Sequence, residues 1–81
     1  MSSVINTDTL STVLEILCRT GNINEPAPDQ DFYDAGITSV VALPLLLEME
    51  DRFQVSIPDD LFIVARTPRA IEQLIASLQA K

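Results

Sequence analysis

Apolar residues in this chain recur at spacings of three and four, the period of an α-helix, and nowhere alternate as they would along a strand. The first stripe consists of Leu10, Val13, Leu14, Leu17 and Cys18. In an α-helix these positions share one face, which buries against neighbouring helices. The pattern predicts an all-α fold, a four-helix bundle with a short third helix.

Capping residues, prolines and glycines set the expected limits of the helices. Thr67 is predicted to cap the fourth helix, with Pro68 at its first position. Pro44 removes the N–H that would bond the carbonyl of Val40, so the second helix should start with a kink or a tight turn. One domain is expected over residues 1–81, with helices at about 7–20, 39–53, 58–64 and 68–79 and a long loop at 21–38.

Composition limits the classes of function. With 81 residues, 47% of them hydrophobic, the chain has room for one core and no separate catalytic lobe. The net charge of −7 opposes binding to nucleic acid or to anionic membranes and suits basic patches on partner proteins. No apolar run approaches the roughly 20 residues of a membrane span, and Met1 opens no signal peptide. We expect a free-standing cytoplasmic monomer, in which the single cysteine, Cys18, is a small buried hydrophobe.

The sequence offers little to a catalyst or a metal. It contains no histidine, and its two glycines, Gly21 and Gly36, form no phosphate-binding loop. Asp29, Asp31 and Asp34 lack the ligand spacing and closing glutamate of a calcium loop. Neither catalysis by this chain alone nor a metal site is therefore expected.

Ser39 lies where the long loop meets the second helix. Free backbone N–H groups and the positive end of the helix dipole favour an anion there, so a phosphate ester on the hydroxyl would be well placed. The structural alternative is that Ser39 is simply an N-cap.

The segment Asp31–Val40, which reads DFYDAGITSV, resembles the attachment signature of acyl and peptidyl carrier proteins. Phe53–Asp59 is similar to the link into the third helix of that family, and the resemblance extends to Ile75. It implies that Ser39 bears 4′-phosphopantetheine, whose thiol holds cargo as a thioester. The implied partners are a phosphopantetheinyl transferase, a cargo-loading ligase or synthase, and downstream transferases, and the carrier itself catalyses nothing.

Two positions depart from common family patterns. Thr38 stands where fatty-acid carriers usually have Asp, and Ile37 where many peptidyl carriers have a second Gly. Tyr33–Ser39, with Leu45–Leu47 and Ile57–Leu61, most resembles small discrete carriers that work with aminoacyl:carrier-protein ligases. Polyketide, nonribosomal-peptide and specialised lipid carriers share much of this pattern, so the cargo stays open.

The second helix carries two apolar stripes. One is expected to face the core and consists of Ala42, Leu45, Leu46, Met49 and Phe53. The opposite one, here called the docking stripe, consists of Val40, Leu43 and Leu47. We interpret it as a partner surface, with Glu48 and Asp51 adding charge further along the helix. It could instead cover the long loop, or serve a helical interaction module without a prosthetic group.

Overall fold

The computed structural model describes the backbone of residues 5–80 and the side chains of residues 9–80. Helices account for all regular structure in that range, which confirms the all-α prediction. Only α1 begins more than one residue away from its predicted start, at Ile5 and not at residue 7. The elements are α1 (Ile5–Gly21), α2 (Ser39–Phe53), α3 (Asp59–Val64) and α4 (Pro68–Gln79).

One hydrophobic core joins the helices. α1 packs against both α2 and α4, and α3 packs against α4. The core side chains are Val13, Ile16, Leu17, Phe32, Ile37, Leu45, Leu46, Met49, Ile57, Phe62, Ala65, Ile71 and Ile75. None of the helices between residues 5 and 80 is both long enough and apolar enough to cross a membrane.

The buried face of α1 differs from the predicted stripe. Ile16, which the stripe omitted, is fully buried together with Val13 and Leu17. Leu14 and Cys18 are only partly buried, so the expectation that Cys18 is buried was wrong. Because α1 packs against two helices, their position determines which face turns inward, and Leu14 and Cys18 lie at its flank.

The start of α2 excludes the structural alternative that Ser39 is the N-cap. The cap is Thr38, which has extended backbone angles (φ −102°, ψ 167°) and makes no side-chain capping bond. Its carbonyl accepts the N–H groups of both Val41 and Ala42 at 3.0 Å. The helix then continues through Pro44 to Phe53. Ser39 is therefore the first residue inside the helix.

Side-chain bonds fix the starts of α3 and α4. Glu50 Oε2 accepts the N–H of Ile57 at 2.8 Å, which holds the link between α2 and α3. Thr67 Oγ accepts the N–H of Ala70 at 3.1 Å, and Pro68 occupies the first turn, as predicted. The Thr67 contact satisfies an N–H group that would otherwise lack a partner at the start of α4, and the Glu50 contact satisfies the N–H of Ile57 in the link before α3.

The long loop is attached to the end of the bundle where α4 begins. Phe32 is fully buried, and its N–H donates to the carbonyl of Arg66 at 2.9 Å. Arg66 Nε pairs with Asp31 at 2.7 Å, and Arg69 Nε pairs with Asp29 at 2.9 Å. These contacts hold the segment that leads into Ser39.

Candidate functional site

Ser39 is exposed at the first position of α2. Its hydroxyl makes no hydrogen bond within the described part of the chain, and the N–H groups of Ser39 and Val40 donate none there. Unpaired N–H groups at the positive end of a helix dipole stabilise a nearby anion. Ser39 therefore offers a free hydroxyl at a place that favours a phosphate ester.

A tight turn presents this serine to solvent. Gly36 has φ +126°, a conformation that residues with a Cβ rarely adopt, and its N–H donates to the carbonyl of Tyr33 at 3.2 Å. The next residue, Ile37, is buried and donates its N–H to the carbonyl of Phe32 at 3.1 Å. Because Phe32 and Ile37 are both fixed in the core, the chain leaves the core at Thr38 and Ser39. The turn role predicted for Gly36 is confirmed.

Ser39 borders a groove of about 450 Å³ between α2 and α3. Apolar side chains from both helices form most of its wall, with charged side chains at Asp59 and Arg66. Such a wall suits a flexible apolar chain with a polar end. This Ser39 groove is lined by Tyr33, Ser39, Ala42, Leu43, Leu46, Asp59, Phe62, Ile63 and Arg66.

A cluster of Asp31, Tyr33 and Arg66 adjoins this groove. Arg66 Nε donates to Asp31 Oδ2 at 2.7 Å, and the guanidinium carbon lies 4.6 Å from the centre of the Tyr33 ring. The hydrogen bond from Arg66 lowers the pKa of Asp31 and raises the pKa of Arg66, while burial raises the pKa of Tyr33. Sequence reasoning did not select Arg66. No signal in the sequence distinguished it from Arg52, the other cation between the acidic loop and α4.

The docking stripe is exposed, so the alternative that it covers the long loop was wrong. Val40, Leu43 and Leu47 expose 82%, 59% and 56% of their surface. Asp51 is exposed beyond the stripe, and Glu48 is partly buried. The stripe and the two acids thus form a surface along α2 that an apolar partner could contact.

The short helix α3 extends the apolar surface in a way the sequence analysis missed. Leu61, Ile63 and Val64 are exposed by 42%, 60% and 71%, while Phe62 faces the core. In a helix of six residues only one or two side chains can face inward, so its other apolar residues remain exposed. The exposed apolar surface therefore includes both α2 and α3.

Cys18 is a poor nucleophile in this setting. Burial raises the pKa of its thiol, and the negative charge of Glu25 adds to that increase. The protonated thiol reacts slowly, because the thiolate is the reactive form. Among the residues with described side chains, no cluster of carboxylates and thiols could hold a metal ion.

These features define a small helical domain in which the exposed Ser39 stands at the start of a helix, beside a groove and an apolar surface. Residues 11–75 match the family model described as the phosphopantetheine attachment site. The chain belongs to this family of carrier proteins, whose prosthetic group is covalently attached 4′-phosphopantetheine.

A relative among curated proteins has a more specific name than the family. The chain is similar to an aminoacyl carrier protein of Agrobacterium fabrum, with 34% identity over 55 residues. The alignment covers 63% of this chain and 66% of the relative, slightly less than two thirds of its length. The comparisons support the resemblance to acyl and aminoacyl carriers and a carrier role for this protein.

Proposed function

We propose that Ser39 carries the 4′-phosphopantetheine group as a phosphodiester, and that the terminal thiol shuttles an acyl or aminoacyl thioester between partner enzymes. The main support is the free, exposed hydroxyl of Ser39 at the first position of α2. The residue also lies inside the segment that matches the attachment-site family.

Other serines with described side chains fit this role less well. Ser11 and Ser77 are exposed but lie inside α1 and α4, where the N–H groups bond to preceding carbonyls. Ser56 lies in the link before α3, away from the start of a helix. Ser39 alone in this group combines exposure and a free hydroxyl with the first position of a helix.

The loading reaction joins Ser39 to the phosphopantetheine part of coenzyme A. The oxygen of the hydroxyl forms a bond to phosphorus, and the phosphoanhydride bond of coenzyme A breaks. Adenosine 3′,5′-bisphosphate leaves with the bonding electron pair, and the hydroxyl proton is released. A phosphopantetheinyl transferase supplies the catalytic groups, and the carrier supplies the exposed serine.

The partner surface in this proposal is the docking stripe of Val40, Leu43 and Leu47, supplemented by Glu48 and Asp51. Its chemistry suits an apolar patch bordered by basic side chains, since the chain carries a net charge of −7. The relative named as an aminoacyl carrier favours an amino acid as cargo. A ligase that activates amino acids would then load the thiol.

Intact-mass measurement tests the attachment site. The wild-type chain, Ser39→Ala and the control Ser56→Ala are each co-expressed with a broad-specificity phosphopantetheinyl transferase. We expect wild type and Ser56→Ala to gain one phosphopantetheine group and Ser39→Ala to gain none. Equal modification of Ser39→Ala would refute the assignment. A wild-type chain that remains unmodified would favour an interaction module that uses the exposed apolar surface.

A further inference from the structure

Among the residues that line the Ser39 groove, one side chain is positively charged, that of Arg66. Arg66 and Asp59 are the charged residues among those that line it, and they have opposite signs. An anion near Ser39 is therefore attracted towards the Arg66 side of the groove and repelled from the Asp59 side. A phosphodiester on Ser39 would place one negative charge at this position.

Two contacts hold the Arg66 guanidinium while leaving most of its donors free. Nε donates to Asp31 Oδ2 at 2.7 Å, and the guanidinium carbon lies 4.6 Å from the centre of the Tyr33 ring. The four N–H bonds on its terminal nitrogens have no acceptor within the described part of the chain. The side chain is 52% exposed, so these donors are accessible. A planar guanidinium with free terminal donors is well suited to phosphate oxygens.

We propose that Arg66 binds the phosphodiester of the prosthetic group through its terminal nitrogens and holds the first part of the arm against the Ser39 groove. This inference rests on the proposed attachment at Ser39. The unpaired N–H groups of Ser39 and Val40 supply further donors on the helix side. Arg66 is a positioning residue here, because it contacts the phosphate and not the thioester.

The contact should be sensitive to salt. Asp31 already offsets part of the charge of Arg66, and both partners are accessible to water. Interactions between exposed charges are weak and screened, with a Debye length of about 10 Å at 0.1 M salt and about 3 Å at 1 M. The contact should therefore restrict the arm at low salt and release it at high salt.

The matched control is Arg69. It pairs with Asp29 of the same loop at 2.9 Å and is similarly exposed, but it is not among the residues that line the Ser39 groove. Replacing Arg69 therefore removes one charge and one loop contact without changing the groove. Arg66→Lys is a second variant, which retains the charge but loses the planar set of donors.

The test is nuclear magnetic resonance of the loaded protein, after intact mass has shown that each variant carries the group. The ³¹P shift of each folded protein is compared with that of the same loaded protein unfolded in urea. We expect a clear difference for wild type and Arg69→Gln, a loss of more than half of it for Arg66→Gln, and an intermediate value for Arg66→Lys. In the wild-type chain, the Nε–H signal of Arg66 should differ between the apo and loaded forms at low salt. At 1 M salt this difference should disappear.

Two results separate this inference from the proposed function. If Ser39 is loaded but the ³¹P shift is the same in wild type and Arg66→Gln, the Arg66 contact is refuted and attachment at Ser39 stands. If the wild-type chain never gains the group, both proposals fail. Should Arg66→Gln fail to fold, the Nε–H signal in the wild-type chain decides: a signal unaffected by loading refutes the contact.

Discussion

Gly36 shows how one backbone angle creates the site. The chain must turn sharply between Phe32 and Ile37, both anchored in the core, and still present Ser39 to solvent. The φ of +126° at Gly36 provides that turn, and a Cβ added to Gly36 would lie 3.1 Å from Ile23 Cγ2. The angle therefore selects glycine, and a Cβ would also require the Ile23 side chain to move by a few tenths of an ångström.

Gly36→Ala should destabilise the protein by about 1–3 kcal/mol, because a residue with a Cβ is strained at this φ. Urea unfolding measures the change in free energy. Loading of Ser39 should also slow, since the turn that presents it would shift. The control Asn22→Gly changes another residue with positive φ (56°) to one that adopts it freely, so it should cause no comparable loss. A free energy of unfolding unchanged in Gly36→Ala would show that the turn relaxes without cost.

At the scale of single residues, the sequence predicts a residue's role correctly where that role depends only on its neighbours along the chain. Gly36 and Thr67 were identified because a turn and a cap depend on local backbone geometry. Ile16 and Cys18 were misassigned because their burial depends on how α1 rotates against α2 and α4. Periodicity fixes which residues share a face, but the neighbouring helices fix where that face is centred.

At the scale of elements, the long loop is joined to the bundle by contacts distant in sequence. Asp31 accepts from Arg66, which is 35 residues away, and also from the N–H of Tyr33 at 2.9 Å. Helix positions could be predicted, because caps and periodicity are local signals. The pairing of Asp31 with Arg66 could not, because several acids in the loop were equally plausible partners before α4 was placed.

Asp31→Asn should remove a contribution to stability that depends on pH. Arg66 lowers the pKa of Asp31 in the folded protein, so folding favours the ionised carboxylate. That contribution is complete above the ordinary aspartate pKa of about 3.9 and disappears as the pH falls through the lower pKa of the folded state. The free energies of unfolding of wild type and Asp31→Asn should therefore differ at pH 6 and converge in acid.

Urea unfolding across this pH range provides the measurement. Asp29→Asn is the control, because the pair of Asp29 and Arg69 is largely exposed and such pairs contribute little. A constant difference between wild type and Asp31→Asn from neutral to acid pH would contradict the role of ionised Asp31. The loop would then be held mainly by the burial of Phe32.

In the molecule as a whole, α2 and α3 each carry some apolar residues that face the core and others that face solvent. Leu46 is 5% exposed in the core and Leu47 is 56% exposed in the docking stripe, although the two are adjacent in sequence. The exposed residues of α3 add to this surface. An exposed apolar patch beside Ser39 is the surface that the proposed carrier would use to bind its partner enzymes.

Leu47→Ser and Leu46→Ser should therefore have opposite effects. Substitution of an exposed residue usually changes stability by less than about 0.5 kcal/mol, whereas truncation of a core leucine costs roughly 2–5 kcal/mol. Leu47→Ser should keep the melting temperature and slow loading by a partner enzyme. Leu46→Ser should lower the melting temperature strongly. The surface control is Gln73→Ser on α4, which should alter neither property.

The comparison distinguishes a docking surface from a second core face. If Leu47→Ser is as destabilising as Leu46→Ser, the stripe contributes to folding, and partners must bind elsewhere, on the acidic loop or on α3. If Leu47→Ser keeps both its stability and its loading rate, the stripe is not used by that enzyme. Stability retained together with slower loading is the result expected of a docking surface, because Leu47 then contributes to a contact that exists only in the complex.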